Sequence, residues 1–305
     1  KLVQCAVQQG LQTRVAMASA RRRLSGAGAL AELLAALAPD ATTAVCLDFD
    51  RTLTTGLAGE PGQGEDDFAR VRGGEPTVAA LRQARESGAI LRIVTAREPR
   101  TMVVEGVFAA IERSPAGLAE LFPRDAISVR SLEDGAKIAV GGAVFATGYH
   151  KANAIAQVLL EFPAVKRVIF VDDAVVNASA VAHSMESWPA LKQVECVSVW
   201  WDPYVEEMEL RTMFPEHTSS SDFNYAPFLE EDLSRFGVAK EEQATRRAAY
   251  QEREEAEGRR DPNAREEIDV KRLKDVEGNN ARLTALFGRM GGAARRASGR
   301  LSLSR

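Results

Sequence analysis

Residues 45–54 read Val45-Cys46-Leu47-Asp48-Phe49-Asp50-Arg51-Thr52-Leu53-Thr54. An apolar run that belongs in a core leads straight into two acids spaced two apart, then a threonine. Buried carboxylates are costly without partners, so a strand that ends this way closes on either a cap or a reaction centre. The segment 44–47 reads as the strand itself, a short apolar run.

The same design recurs downstream. "AILRIV" (89–94) is a second strand, followed by Thr95 and then Ala96-Arg97. "RVIFVDD" (167–173) is a third, ending in Asp172-Asp173 with Asn177 a helical turn later. "VECVSVWWDP" (194–203) is a fourth, and "AISV" (126–129) and "AVFATG" (143–148) read as strands around a Gly-rich turn. Helical spacing marks 29–37, 76–88, 101–113, 151–162 and 175–185, with Pro near the start of the second and Gly88 at its end. Strands alternating with helices predict a parallel sheet covered on both faces. The continuous apolar strands agree, because both of their faces must be buried. The expected fold is α/β, a Rossmann-like, doubly wound, mostly parallel sheet over residues 41–227.

In such a sheet ligands bind beyond the carboxyl ends of the strands, where the polar groups gather here. A carboxylate can attack phosphorus and form an aspartyl phosphate. The phosphoryl oxygens then need cations and hydroxyl donors. A hard Mg²⁺ ion takes oxygen ligands, which Asp48 and Asp172 can supply from strand ends. A second acid beside the nucleophile can move the proton. Lys151, at a helix start, is the candidate cation, although Lys137 and Lys166 flank the same region.

With these residues in view, the chain resembles the haloacid dehalogenase-like (HAD) phosphohydrolases. Asp48, Asp50 and Thr52 match their Asp-x-Asp-x-Thr signature. Thr95, Lys151 and Asp172-Asp173 with Asn177 follow in the family's order, at intervals of 47, 56 and 21 residues. The match covers roughly residues 41–203. The resemblance implies Asp48 as nucleophile and metal ligand, and Asp50 as general acid/base whose backbone carbonyl reaches the metal. It implies Thr95 and Lys151 as the phosphoryl clamp, Asp172 and Asp173 on Mg²⁺, and Asn177 in that shell or orienting Lys151. An acid at position 50 favours phosphomonoester hydrolysis or phosphomutase chemistry, so the expected enzyme is a Mg²⁺-dependent phosphatase of a phosphorylated substrate the sequence does not name. The insert after Leu53 is too short for a helical cap, and 97–147 leaves room only for a small lid.

Blander readings stand beside these. Asp172-Asp173 can cap the next helix, Trp200-Trp201 can serve packing, His150 beside Lys151 reads as a surface or loop histidine before a substrate contact, and His183 and His217 lack ligand spacing. Residues 228–305 are dense in both charge signs and poor in large apolar groups. They are expected to form a helical extension with a basic tail, which cannot close a core of its own. The alternative to an enzyme is therefore an interaction subunit of a larger assembly, docking protein partners through that extension.

Residues 1–40 read as a basic N-terminal arm followed by a helix. No acid precedes Glu32, while Lys1, Arg14 and Arg21–Arg23 do, the composition of a mitochondrial or plastid transit remnant or of an ordinary basic arm. The net charge of −4 gives no argument for nucleic acid. No apolar run of membrane-spanning length occurs, so no span is expected. Cys5, Cys46 and Cys196 have neither zinc nor disulfide spacing and read as reduced thiols of an intracellular protein.

Overall fold

The computed structural model describes residues 20–55, 71–131, 136–148, 151–187, 194–204 and 229–256. Its strands are β1 (Ala20–Ser25), β2 (Thr43–Leu47), β3 (Ile90–Thr95), β4 (Ile127–Ser131), β5 (Lys137–Gly141), β6 (Val144–Ala146), β7 (Arg167–Asp172) and β8 (Glu195–Asp202). Its helices are α1 (Ala29–Leu37), α2 (Gly74–Glu86), α3 (Thr101–Arg113), α4 (Leu118–Leu121), α5 (Lys151–Glu161), α6 (Val175–Ser187), α7 (Leu229–Arg235) and α8 (Lys240–Ala256). The strands form one sheet in the order β1-β8-β7-β2-β3-β6-β5-β4. From β1 to β6 neighbours run parallel, and β5 and β4 add an antiparallel edge.

Alternation along the strands divides the core, as a pleated sheet requires. Val45, Leu47, Leu91, Ile93, Ile169, Val171 and Trp201 face α1–α4. Ala44, Cys46, Val94, Val168, Phe170 and Cys196 face α5 and α6. The α/β sheet with helices on both faces agrees with the expected class. Cys46 and Cys196 are free and buried, and burial pushes both thiols up to about 12. No helix among the described residues is long and apolar enough to cross a membrane.

Three expectations need correction. Ala20–Ser25, read as part of a basic arm, is the parallel edge strand on β8. Its arginines find carboxylates: Arg21 pairs with Glu186, and Arg23 with Asp202 and Glu242. Partners distant in sequence turn a basic tract into a strand. The segment 97–147, expected as a small lid, instead adds α3 and α4 to the core and a hairpin to the sheet edge. Within it, the stretch between the two expected strands holds a further strand, β5. Finally, α7 does not stand off as an arm. Leu233, Phe236 and Val238 bury against Val175, Ala178 and Trp200, at about 1.5–3 kcal/mol per side chain before entropy. Residues 257–305, with the basic tail, lie outside the described residues, as do Cys5, His150 and His217.

Candidate active site

The chain order explains where the site falls. From β2 the sheet grows one way through β3 and β6, then returns to the other side of β2 with β7 and β8. The switch point lies between β2 and β7, and there a crevice opens at the carboxyl edge. Leu47 pairs with Val171, so Asp48 and Asp172 emerge side by side. The Asp48 N–H still donates to the Val171 carbonyl at 2.9 Å, which holds the carboxylate at the sheet rather than on a loose loop.

Past Asp48 the chain makes a wide turn over Phe49–Leu53. Leu53 N–H donates to the Asp48 carbonyl (3.1 Å) and Thr54 N–H to that of Phe49 (3.0 Å). Arg51 takes the left-handed conformation, φ 60°, and the buried Phe49 and Leu53 side chains anchor both ends of the turn. Arg72 clasps it from outside. It is buried, donates to the carbonyls of Arg51 (3.2 Å), Trp201 (2.8 Å) and Asp202 (3.1 Å), and lies 4.2 Å over the Trp201 ring. Gly73 makes that approach possible. Its φ is +77°, and a Cβ there would meet the Ala27 carbonyl oxygen at 2.1 Å.

Lys151 Nζ sits between two carboxylates, 2.6 Å from Asp48 Oδ1 and 2.6 Å from Asp172 Oδ2, and all three residues are buried. This resolves the choice among lysines, since Lys137 and Lys166 are exposed. Thr52 Oγ1 is the second hub. It accepts the Asp173 N–H (2.9 Å) and faces Asp173 Oδ1 (3.2 Å) and Asp48 Oδ2 (3.4 Å), the two acceptors open to its one proton. Asp172 Oδ1 receives Ala174 N–H (2.9 Å) and Asn177 Nδ2 (3.1 Å). Asp172 therefore closes a turn ahead of α6 and takes no backbone N–H of that helix's first turn, and Asn177 orients Asp172 rather than Lys151.

Asp48, Asp172 and Asp173 each offer an oxygen within 4.8 Å of the others. Burial pushes the Asp48 carboxyl well above the usual carboxylate range; Lys151 opposes the shift, and the carboxylates of Asp172, Asp173 and Asp50 add to it. Asp173 is pushed up to about 6 by burial and by Asp172, against the pull of Lys151, Arg51 and Arg72. Burial works against the Lys151 ammonium too, but Asp172 and Asp48 hold its pKa above its ordinary value. Three carboxylates around one ammonium leave the cluster short of positive charge. A hard divalent cation with oxygen ligands suits that donor set.

Asp50 is turned away from this cluster. Arg97 grips it with two parallel bonds, Nε to Oδ2 at 2.8 Å and Nη2 to Oδ1 at 2.5 Å, and lies 5.3 Å over the Phe49 ring. Any part Asp50 has in holding a cation therefore falls to its backbone. Thr95 is buried at the end of β3, where its hydroxyl accepts the Arg97 N–H at 3.2 Å. His183 is exposed on α6, beside Ser187. Sequence reading gave no role to Arg72 or Arg97, and only a packing role to Trp200. Arg97 had a signal in its place two residues after Thr95; Arg72 had none, because its partners come from distant segments. No family model, curated protein or solved structure matches the chain, so the chemistry of the site has to carry the functional reading.

Proposed function

We propose that this protein is a Mg²⁺-dependent phosphohydrolase of the HAD type, cleaving a phosphomonoester through an aspartyl phosphate. The observation that carries the reading is the meeting of Asp48, Asp172 and Asp173 with the buried Lys151 at the switch point of the sheet. Asp48, Asp172 and Asp173 would hold the ion. When bound, Mg²⁺ supplies the positive charge that keeps these carboxylates ionised and offsets charge on the phosphoryl oxygens.

The chain's own residues divide the rest. Lys151 orients Asp48 and adds a fixed cation. An Asp48 oxygen attacks phosphorus, the bond to the leaving oxygen breaks, and Asp50, entering the step protonated with one oxygen turned from Arg97 to the ester, gives the leaving oxygen its proton. Asp50 then takes a proton from water, whose oxygen attacks the same phosphorus. The bond to Asp48 breaks, inorganic phosphate leaves, and both acids return to their starting states. Arg97 keeps Asp50 in place between the steps, and Thr95 offers a hydroxyl to the phosphoryl group.

The test is turnover of a broad phosphomonoester panel with Mg²⁺. Wild type should release phosphate, and Asp48→Asn should abolish release while keeping its far-UV circular dichroism. Undiminished turnover in Asp48→Asn, or none by wild type on any ester, refutes the proposal.

A further inference from the structure

Asp173 is held at three points. Its N–H donates to Thr52 Oγ1 (2.9 Å), its Oδ1 faces the same hydroxyl (3.2 Å), and its carbonyl accepts Trp200 Nε1–H at 2.9 Å. The first two contacts lie within the site. The third comes from outside it, from a side chain on β8 that points to the opposite face from Trp201.

Trp200 is itself fixed by the C-terminal helices. Its ring is buried with Val175 and Ala178 of α6 and with Leu233, Phe236 and Val238 of the α7 region. Phe236 meets it edge-on, 6.2 Å between centroids at 77°. The guanidiniums of Arg23 and Arg246 stand over it at 5.4 and 5.6 Å. Both arginines are tied down in turn. Arg246, 1% exposed, forks onto Asp202 (3.1 and 2.6 Å), and Arg23 bridges Asp202 and Glu242. Ser179 of α6 and Asp232 of α7 close the same junction with a hydrogen bond. A path of direct contacts therefore runs from α8, through Arg246 and Trp200, to the backbone of Asp173.

We propose that Trp200 is a positioning residue for Asp173, and that α7 and α8 act through it to shape the cation end of the site. The proposal rests on the metal reading above. An indole packed by these groups holds the Asp173 carbonyl, and so helps to set where the carboxylate stands before a cation arrives. Groups that orient ligands in this way are worth about 10- to 100-fold in metal affinity.

The probe is Mn²⁺, titrated into the full chain and followed by the electron paramagnetic resonance signal of free ion. Trp200→Phe removes the N–H and keeps most of the ring. It should bind Mn²⁺ at least about 10-fold more weakly than wild type. Phe236→Leu loosens the indole and keeps its N–H, so it should show a smaller loss. Phe108→Leu lowers stability from α3, on the other face, and should leave Mn²⁺ affinity unchanged. Equal affinity in wild type and Trp200→Phe overturns this proposal while the metal reading stands. Absence of Mn²⁺ binding by wild type overturns both. If Trp200→Phe does not fold, Phe236→Leu carries the test against the Phe108→Leu control, and unchanged affinity there refutes the coupling.

Discussion

Replacing Lys151 by Met removes the one ammonium between Asp48 and Asp172 and leaves a side chain of similar length. Both carboxylates then stay buried with each other and with Asp173 as near neighbours. Taking one partner from a buried pair costs about 3–5 kcal/mol. Two carboxylates lose their partner here, which argues for the upper end of that range. Protonation limits the loss, because burial already pushes Asp48 upward and Lys151 is the charge that opposes it. A carboxyl whose pKa is raised by folding favours the folded state at pH below its unfolded value, and that benefit fades as pH rises through the folded value. The penalty should therefore be largest near neutrality and shrink on acidification. For a domain of this size the neutral-pH loss is about 6–20 °C in melting temperature. Calorimetry of wild type and Lys151→Met without divalent cation, at about pH 7 and pH 5, measures it. Melting points within about 2 °C of each other at pH 7 would refute the idea that this ammonium bridges buried carboxylates.

Asp50→Asn should lower turnover by about 10²- to 10⁴-fold and leave Mn²⁺ binding in place, since Asp50 stands apart from the three-carboxylate cluster; loss of binding with unchanged turnover would reverse that assignment. Glu242 is held below its usual pKa, first by its hydrogen bonds from Arg23 and then by those from Arg246. A depressed carboxylate contributes stability above its unfolded value of 4.5 and loses it as pH falls through the folded one. Chemical denaturation from about pH 5 to pH 3 should therefore weaken wild type more than Glu242→Gln, and parallel curves would count against the tie between α8 and β1.

Much of the site could be read from the chain because its residues sit at ends of elements with strong local patterns. Asp48, Thr95 and Asp172 each close an apolar strand, Lys151 opens a helix, and a parallel sheet brings such ends to one edge. What could not be read depended on partners far along the chain. Lys151 had Lys137 and Lys166 as neighbours in the same region until the start of α5 put its ammonium within 2.6 Å of two carboxylates and left the other two lysines exposed. The run Arg21-Arg22-Arg23 looked like a basic arm because Glu186, Asp202 and Glu242 lie more than a hundred residues away.

The sequence alone determined the alternation of the central strands and helices, because burial on both faces of a sheet demands continuous apolar strands and amphipathic crossovers. It also determined that polar groups would cap those strands, since each acid follows its apolar run directly. Only the tertiary structure decided how the acids differ. Asp48 and Asp172 share one buried ammonium and Asp48 and Asp173 one threonine, while Asp50 is taken by Arg97. Only packing decided that α7 and α8 belong to the sheet, through Trp200 and Arg246. Charge pairing and indole packing are set by distances in space, and no spacing along the chain encodes them.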